Sequence, residues 1–408
     1  MALLKNIFGC FTESSESKYV CHGNVCVLRN RSKSGKKIAS KILLKTSRAF
    51  FMAKNFLFSF FFIVFSSSLV FSTAQMVPAV FVFGDSLVDV GNNNYLPVSI
   101  AKADFPHNGI DFPTKKPTGR FCNGKNAADL LAEKLGLPSS PPYLSLSKKK
   151  PSYINGVSFA SGGAGIFNGT DQTLGQSIPL LKQVDYYIAV QKILVQQSGL
   201  SAAESRLSKS LFVIVIGSND IFDYFGSSDR REKNTPQHKV LDHKNSTIFF
   251  QQRLYETGAR KFVLTGIGAI GCAPAERVKN ETHECSEERN FWSVKYNEEL
   301  KAMLTGFKSE LQGVNYSYFD TYGIMQEAIQ NPSSYGFNEI KSACCGLGDL
   351  KAKVPCVPVS KYCTNRSDHV FWDLYHPTEA TARVFVDTLF DGPSQYCVPM
   401  NVRQLVSA

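Results

Sequence analysis

Leu211-Phe212-Val213-Ile214-Val215-Ile216 is apolar at every position, without the alternation of a strand that keeps one face in water. A run of this kind fits a strand buried on both faces, as in a parallel sheet covered by helices. It passes directly into the polar turn Gly217-Ser218-Asn219-Asp220. Similar runs at Ala79–Phe83, Val157–Ala160, Lys261–Leu264 and Val314–Phe319 also end in turn-forming residues. Helical spacing marks Asn126–Leu135, Leu174–Gln197, Glu287–Leu311 and Pro377–Phe390. Strands alternating with helices predict an α/β domain with a mostly parallel sheet, whose functional groups collect at the carboxyl edge. No internal repeat or low-complexity linker interrupts residues 75–408, which are expected to form one domain. From Gly226 to Gln252 the chain is polar and poorly periodic.

The 408 residues carry a formal charge of +11, which raises the question of nucleic-acid binding. The excess is confined to the N-terminus: residues 1–51 hold ten Lys and Arg against Glu13 and Glu16, and Lys54 adds one more. The remaining +2 gives the body of the chain no electrostatic reason to bind DNA or RNA.

Asn55–Ala74 is apolar and uncharged, follows Lys54 and ends in small residues, the pattern of a secretory signal cleaved near Ala74–Gln75. Met52 stands just ahead of it. The expected organisation is therefore a basic extension at 1–51 absent from the working protein, a signal at 52–74 and a mature domain at 75–408. If translation starts at Met1, the same 20 apolar residues read as a membrane anchor, which also puts the domain outside the cytosol. With the signal removed, no stable membrane insertion is expected.

Beyond residue 51 lie Cys122, Cys272, Cys285, Cys344, Cys345, Cys356, Cys363 and Cys397, an even number that suits disulfides in an exported protein. Sequence leaves their pairing open. Their spacing does not supply two close ligand pairs for zinc, so no metal and no cofactor is expected. Glycosylation sequons stand at Asn168, Asn245, Asn280, Asn315 and Asn365.

Four clusters offer chemistry. Val80-Phe81-Val82-Phe83 runs into Gly84-Asp85-Ser86, which presents a hydroxyl at the end of a buried strand. Gly-Asp-Ser alone is more often an ordinary turn, and a serine hydroxyl needs a base to become a nucleophile. Phe159–Gly165 (FASGGAG) has glycines that let backbone N–H groups approach a ligand, although a tight turn needs the same residues. Asn219 is either a turn former or an oxyanion donor. Asp373-Leu374-Tyr375-His376-Pro377 sets a carboxylate three residues from an imidazole, close enough to fix its tautomer, with Pro377 suited to open the following helix. His369 is a minor rival to His376, while His238, His243 and His283 fall in polar stretches. Asp85 and Asp220 read as structural hydrogen-bonding groups.

In this order, FVFGDSLVDVGNNN (Phe81–Asn94), FASGGAG, GSND (Gly217–Asp220) and DLYHP (Asp373–Pro377) resemble the plant branch of the GDSL esterase/lipase family of SGNH hydrolases. TGRFCNGK (Thr118–Lys125), GARKF (Gly258–Phe262) and CCGLG (Cys344–Gly348) extend the resemblance across Val77–Val406. It implies a three-layer, flavodoxin-like fold and a metal-independent serine hydrolase acting on acyl esters in the cell wall or apoplast. The family's nucleophile matches Ser86 and its Asp–His pair Asp373 and His376. Its oxyanion donors match Asn219 and Gly162, with the adjacent Gly163 as the alternative. The sequence departs from the family between Pro236 and Gln252, where HKVLDHKNSTIFF replaces a regular amphipathic helix. Two rival expectations are acyl transfer to an alcohol acceptor in polyester synthesis and a catalytically silent secreted glycoprotein.

Overall fold

A computed structural model describes residues 75–146, 153–226 and 250–408, together with the backbone at 19–22 and 25–28. The chain divides into two units, Met1–Ser72 and Thr73–Ala408. In the first, Tyr19–His22 pairs antiparallel with Val25–Leu28. The signal-like segment 55–74 and most of the departing segment 236–252 lie outside the described residues.

The second unit is built on a five-stranded sheet. Strands β1 (Val80–Gly84), β2 (Leu211–Val215), β3 (Lys261–Thr265) and β4 (Asn315–Phe319) are parallel neighbours. Between β4 and the last strand of the sheet come four short ones, β5 (Glu339–Ala343), β6 (Cys345–Gly346), β7 (Lys361–Tyr362) and β8 (His369–Phe371). The fifth sheet strand, β9 (Cys397–Val398), runs antiparallel beside β4.

Residues 157–160 lie along the other side of β1. Val82 N–H donates to Val157 O at 3.0 Å and Phe159 N–H to Val82 O at 2.8 Å. This stretch forms bridges rather than the full strand expected at Val157–Ala160: on its outer edge Ser158 N–H donates to Pro141 O and Ser158 O accepts from Tyr143 N–H, while Asn92 Nδ2 donates to Ser158 O and Ala160 O. In chain order the parallel strands then read 2-1-3-4-5, the flavodoxin-like arrangement, with antiparallel β9 added beyond β4 and the switch point beside the carboxyl end of β1.

Alternate residues of the strands face opposite ways and build two cores. Phe81, Phe83, Phe212, Ile214 and Phe262 pack with Tyr187 of α2 (Leu180–Ser198), Leu207 of α3 (Leu200–Lys209) and Leu304 of α6 (Glu287–Glu310). Val80, Val82, Leu211, Val213 and Val263 pack with Leu131 of α1 (Ala127–Lys134), Val386 of α8 (Glu379–Asp391) and Leu405 of α9 (Val402–Ser407). Strands that are apolar at every position can serve two helical layers at once. That is the three-layer α/β/α architecture.

Helix boundaries shifted where capping decided them. Asn126 caps α1 through the N–H groups of Ala128 and Asp129. Residues 174–179, read as helical, form a turn and an extended lead-in to α2. Pro377 does not open α8: Thr378 is the cap, its side chain accepting from Thr381 N–H, and Pro377 pairs in a bridge with Phe371. The rest of the path runs through α4 (Ser218–Gly226) after β2, a helical stretch at 250–256 before β3, α5 (Pro274–Arg277) after β3 and α7 (Thr321–Gln330) after β4. No described helix is long and apolar enough to cross a membrane.

Candidate active site

β1 ends in a backbone that only glycine adopts comfortably. Gly84 has φ +152°, and a Cβ there would stand 2.2 Å from Val215 O. The turn after it lifts Ser86 to the carboxyl edge, half-buried. Ser86 Oγ lies 2.8 Å from His376 Nε2. On the other side of the ring, Nδ1 is 2.8 Å from both Oδ1 and Oδ2 of Asp373. The sequence separation between serine and histidine is 290, so only the sheet brings them together.

The Asp373 carboxylate also accepts from the N–H groups of Tyr375 at 3.0 Å and His376 at 2.9 Å, which folds the loop around it. Burial opposes its ionisation, yet His376 and these N–H groups hold the carboxyl below its usual range. For His376, burial alone would lower the pKa. The charge and hydrogen bond of Asp373 outweigh it and raise the imidazole above 6.5, and Asp85 adds to the effect.

Disulfides brace this loop. Cys344–Cys363 and Cys345–Cys356 pack against the fully buried Trp372, the residue before Asp373. Cys345 N–H donates to Trp372 O at 2.7 Å, and Trp372 N–H to His376 O at 2.8 Å. Cys272–Cys285, the third pair among the described residues, closes a loop around α5, whose Ala275 N–H donates to Leu374 O. Cys122 and Cys397 are buried free thiols. Sequence carried the adjacency of Cys344 and Cys345 but nothing that placed them beside the histidine loop.

Asn219 sits in the first turn of α4 rather than in a loop, after Gly217 at φ +116°. Its Nδ2 donates to Ala164 O at 2.9 Å and faces the cleft, with one N–H left over. Gly162 differs from its expected role. Its N–H donates to the buried Asp89 Oδ2 at 3.0 Å, so that donor is turned into the protein. Gly163, at φ +76°, lines the cleft instead. Among the described residues, the N–H groups of Ser86 and Gly163 have no acceptor.

Asp85 is buried, with Oδ1 accepting from Leu87 N–H at 3.0 Å and Oδ2 unpartnered among the described residues. Burial pushes its carboxyl up to about 7. Asp220 accepts from Ile166 N–H, Phe167 N–H and Thr170 Oγ1, tying α4 to the glycine-rich turn. His369 Nδ1 is engaged 2.6 Å from Asp368 Oδ1, and His283 pairs with Asp349.

A supporting frame lies beneath the cleft. Asp89 Oδ1 accepts from Gly91 and Asn92 N–H, and burial raises its carboxyl to about 6. Asn93 Nδ2 donates to Ala101 O and Gly162 O, while its Oδ1 takes Ser161 Oγ at 2.5 Å. Arg120 grips Asp129 through Nε at 2.6 Å and Nη2 at 2.7 Å, and Asn126 Nδ2 reaches Asp89 O. Among the described residues, no group of His, Cys, Asp and Glu is arranged to hold a metal ion.

A serine, an imidazole and a carboxylate in series at the edge of a parallel sheet are equipped for acyl transfer. The family model for the GDSL-like lipase/acylhydrolase matches residues 80–389. The chain belongs to the GDSL lipase/acylhydrolase family. It is 53% identical to the GDSL esterase/lipase At5g55050 of Arabidopsis thaliana over 340 residues, covering 81% of this chain and 90% of the relative. It is 37% identical to At5g37690 (79% and 90% covered) and 40% identical to At4g16230 (82% and 92% covered), both GDSL esterase/lipases of the same plant. As a GDSL esterase/lipase it is an ester hydrolase of the plant family.

Of the sequons, Asn168, Asn280 and Asn365 are exposed, Asn315 opens β4 half-buried, and Asn245 lies outside the described residues.

Proposed function

We propose that the protein hydrolyses carboxylic esters through an acyl-enzyme on Ser86, in the extracellular space. The observation that carries this reading is the unbroken chain Ser86 Oγ to His376 Nε2, His376 Nδ1 to Asp373. His376 takes the proton as Ser86 attacks the acyl carbonyl. Asp373 fixes the tautomer and stabilises the imidazolium, which returns the proton to the departing alcohol. Water activated by the same imidazole then releases the acid.

The oxyanion is held by the N–H groups of Ser86 and Gly163 and the free N–H of the Asn219 amide. Gly163 takes the place first given to Gly162, whose N–H is committed to Asp89. Gly162 N–H instead fixes the turn that aims its neighbour.

Export by a signal ending near Ala74–Gln75, and glycans on exposed sequons, fit the three disulfides of the described residues. N-terminal sequencing of the secreted product, with and without an N-glycosidase, tests both points. A mature start at Met1 would overturn the signal reading. The catalytic reading is tested by turnover of p-nitrophenyl acyl esters beside Ser86→Ala. Activity in the parent that vanishes in the variant supports it, and equal activity in both refutes it.

A further inference from the structure

The cavity that opens at Ser86 has a volume of about 520 Å³ and does not end at the catalytic groups. It continues along the carboxyl edge of the sheet, past Val215, Thr265 and Phe319 at the ends of β2, β3 and β4, to Met325 of α7 and to Phe385 and Leu389 of α8. Val215 and Thr265 are half-buried although the three residues immediately before each of them are buried. The void they line explains the difference.

The walls of this inner part are apolar apart from a few hydroxyls, and among the described residues no Lys or Arg lines the cavity. The carboxyl groups that do line it, Asp85, Asp171 and Asp223, belong to the segments that carry the catalytic mouth. A sugar or an acetyl group would leave such a channel unfilled. An unbranched hydrocarbon chain would exchange water for its apolar walls along the whole length.

We propose that this channel holds the acyl chain, so that the substrates are esters of medium-to-long unbranched fatty acids, and that Gly268 and Met325 limit the length accepted. The proposal rests on Ser86 as the nucleophile. Its Oγ bonds to the acyl carbon, the alcohol leaves with the proton from His376, and water frees the fatty acid and restores the hydroxyl. With the carbonyl at Ser86, the chain runs from the end of β1 towards the ends of β3 and β4.

Gly268 and Met325 are in contact in the lining of this path, too close for a methylene chain to pass between them, so together they form a wall that ends it. A Cβ on Gly268 would stand 3.0 Å from Met325 Sδ and 3.6 Å from Thr321 Cγ2, so any larger side chain there narrows the channel. Gly268 has no positive φ, so its backbone accepts other residues.

The experiment measures kcat/KM for p-nitrophenyl acyl esters from acetyl to hexadecanoyl with the full chain and with Gly268→Leu and Met325→Ala. In the parent, kcat/KM rises roughly threefold to fourfold per methylene until the channel is full. Gly268→Leu lowers the dodecanoyl-to-butyryl ratio at least tenfold, and Met325→Ala moves the optimum to longer chains, a gain that misfolding cannot produce. An unchanged chain-length profile in both variants, or a parent that prefers acetyl or aromatic acyl groups, overturns the proposal and leaves the serine mechanism standing. Binding of dodecanoate to Ser86→Ala, measured by calorimetry and lost in Ser86→Ala/Gly268→Leu, reads the channel without turnover. Binding with no ester turnover by the parent would sink the serine reading alone.

Discussion

The side chain of Gln183 makes hydrogen bonds to both backbone groups of Gly84, accepting from its N–H and donating to its carbonyl at 2.8 Å each. Gln183 is wholly buried in α2, yet it fixes the residue two before Ser86. Its Nε2 also donates to Ile178 O, which anchors the lead-in to α2 on the same point.

Gln183→Leu is therefore expected to disturb the site without touching it. The Gly84 N–H loses its acceptor in the core, which costs about 1–3 kcal/mol. Misplacement of Ser86 should lower kcat on the order of 100-fold, with little change in KM. Denaturant unfolding and steady-state kinetics on the same preparation check both.

The pH profile should expose the Asp373 and Asp85 carboxylates separately. His376 accepts a proton only when neutral, so kcat/KM rises with pH, with a midpoint above 6.5 because Asp373 holds its pKa up against burial. In Asp373→Asn, burial is left to lower the imidazole pKa. The midpoint then moves to lower pH while kcat falls roughly 10³–10⁴-fold. Asp85→Asn removes a carboxylate with a weaker influence of the same sign and moves the midpoint the same way, by less. Because burial pushes Asp85 itself to about 7, that difference grows as the pH passes this value.

On the proposed mechanism Asn219→Ala removes one oxyanion donor and should reduce kcat about 10²–10³-fold with KM nearly unchanged. Loss of the bond to Ala164 O predicts a small accompanying fall in thermal stability. A variant that weakens KM and leaves kcat intact would place Asn219 in substrate binding instead.

Cys344→Ser with Cys363→Ser removes a cross-link over a sequence separation of 19, worth about 3 kcal/mol in chain-entropy terms. Because the pair packs on Trp372, activity should be lost at a lower temperature than global unfolding. Inactivation and circular-dichroism melting curves, compared with and without the pair, read the gap.

The buried strands were legible because their apolar runs have no alternation, and Ser86, Asp373 and His376 stood out as candidates because each sits in a polar turn after such a run or before a helix. What sequence concealed was the polar frame. Asn92 and Asn93 look like turn formers, yet they bind the edge of residues 157–160 and the glycine-rich turn, beside a short backbone bridge from Pro142 to Ser158. Gln183 lies on an otherwise ordinary helix. Gly162 and Gly163 are indistinguishable by type, and only the hydrogen bond to Asp89 separates the committed N–H from the one facing the cleft. Pro377 fits a helix start by type, but Thr378 has the side-chain acceptor that the first turn needs. Partners remote in sequence decide each of these, and local pattern carries no record of them.

The central claim is a covalent acyl-enzyme on Ser86, and mass spectrometry of the protein quenched in acid during turnover of a p-nitrophenyl ester addresses it most directly. The account predicts an early burst of p-nitrophenol and an added acyl mass on the peptide that contains Ser86, both absent in Ser86→Ala. Steady turnover with no adduct, persisting in Ser86→Ala, would contradict it.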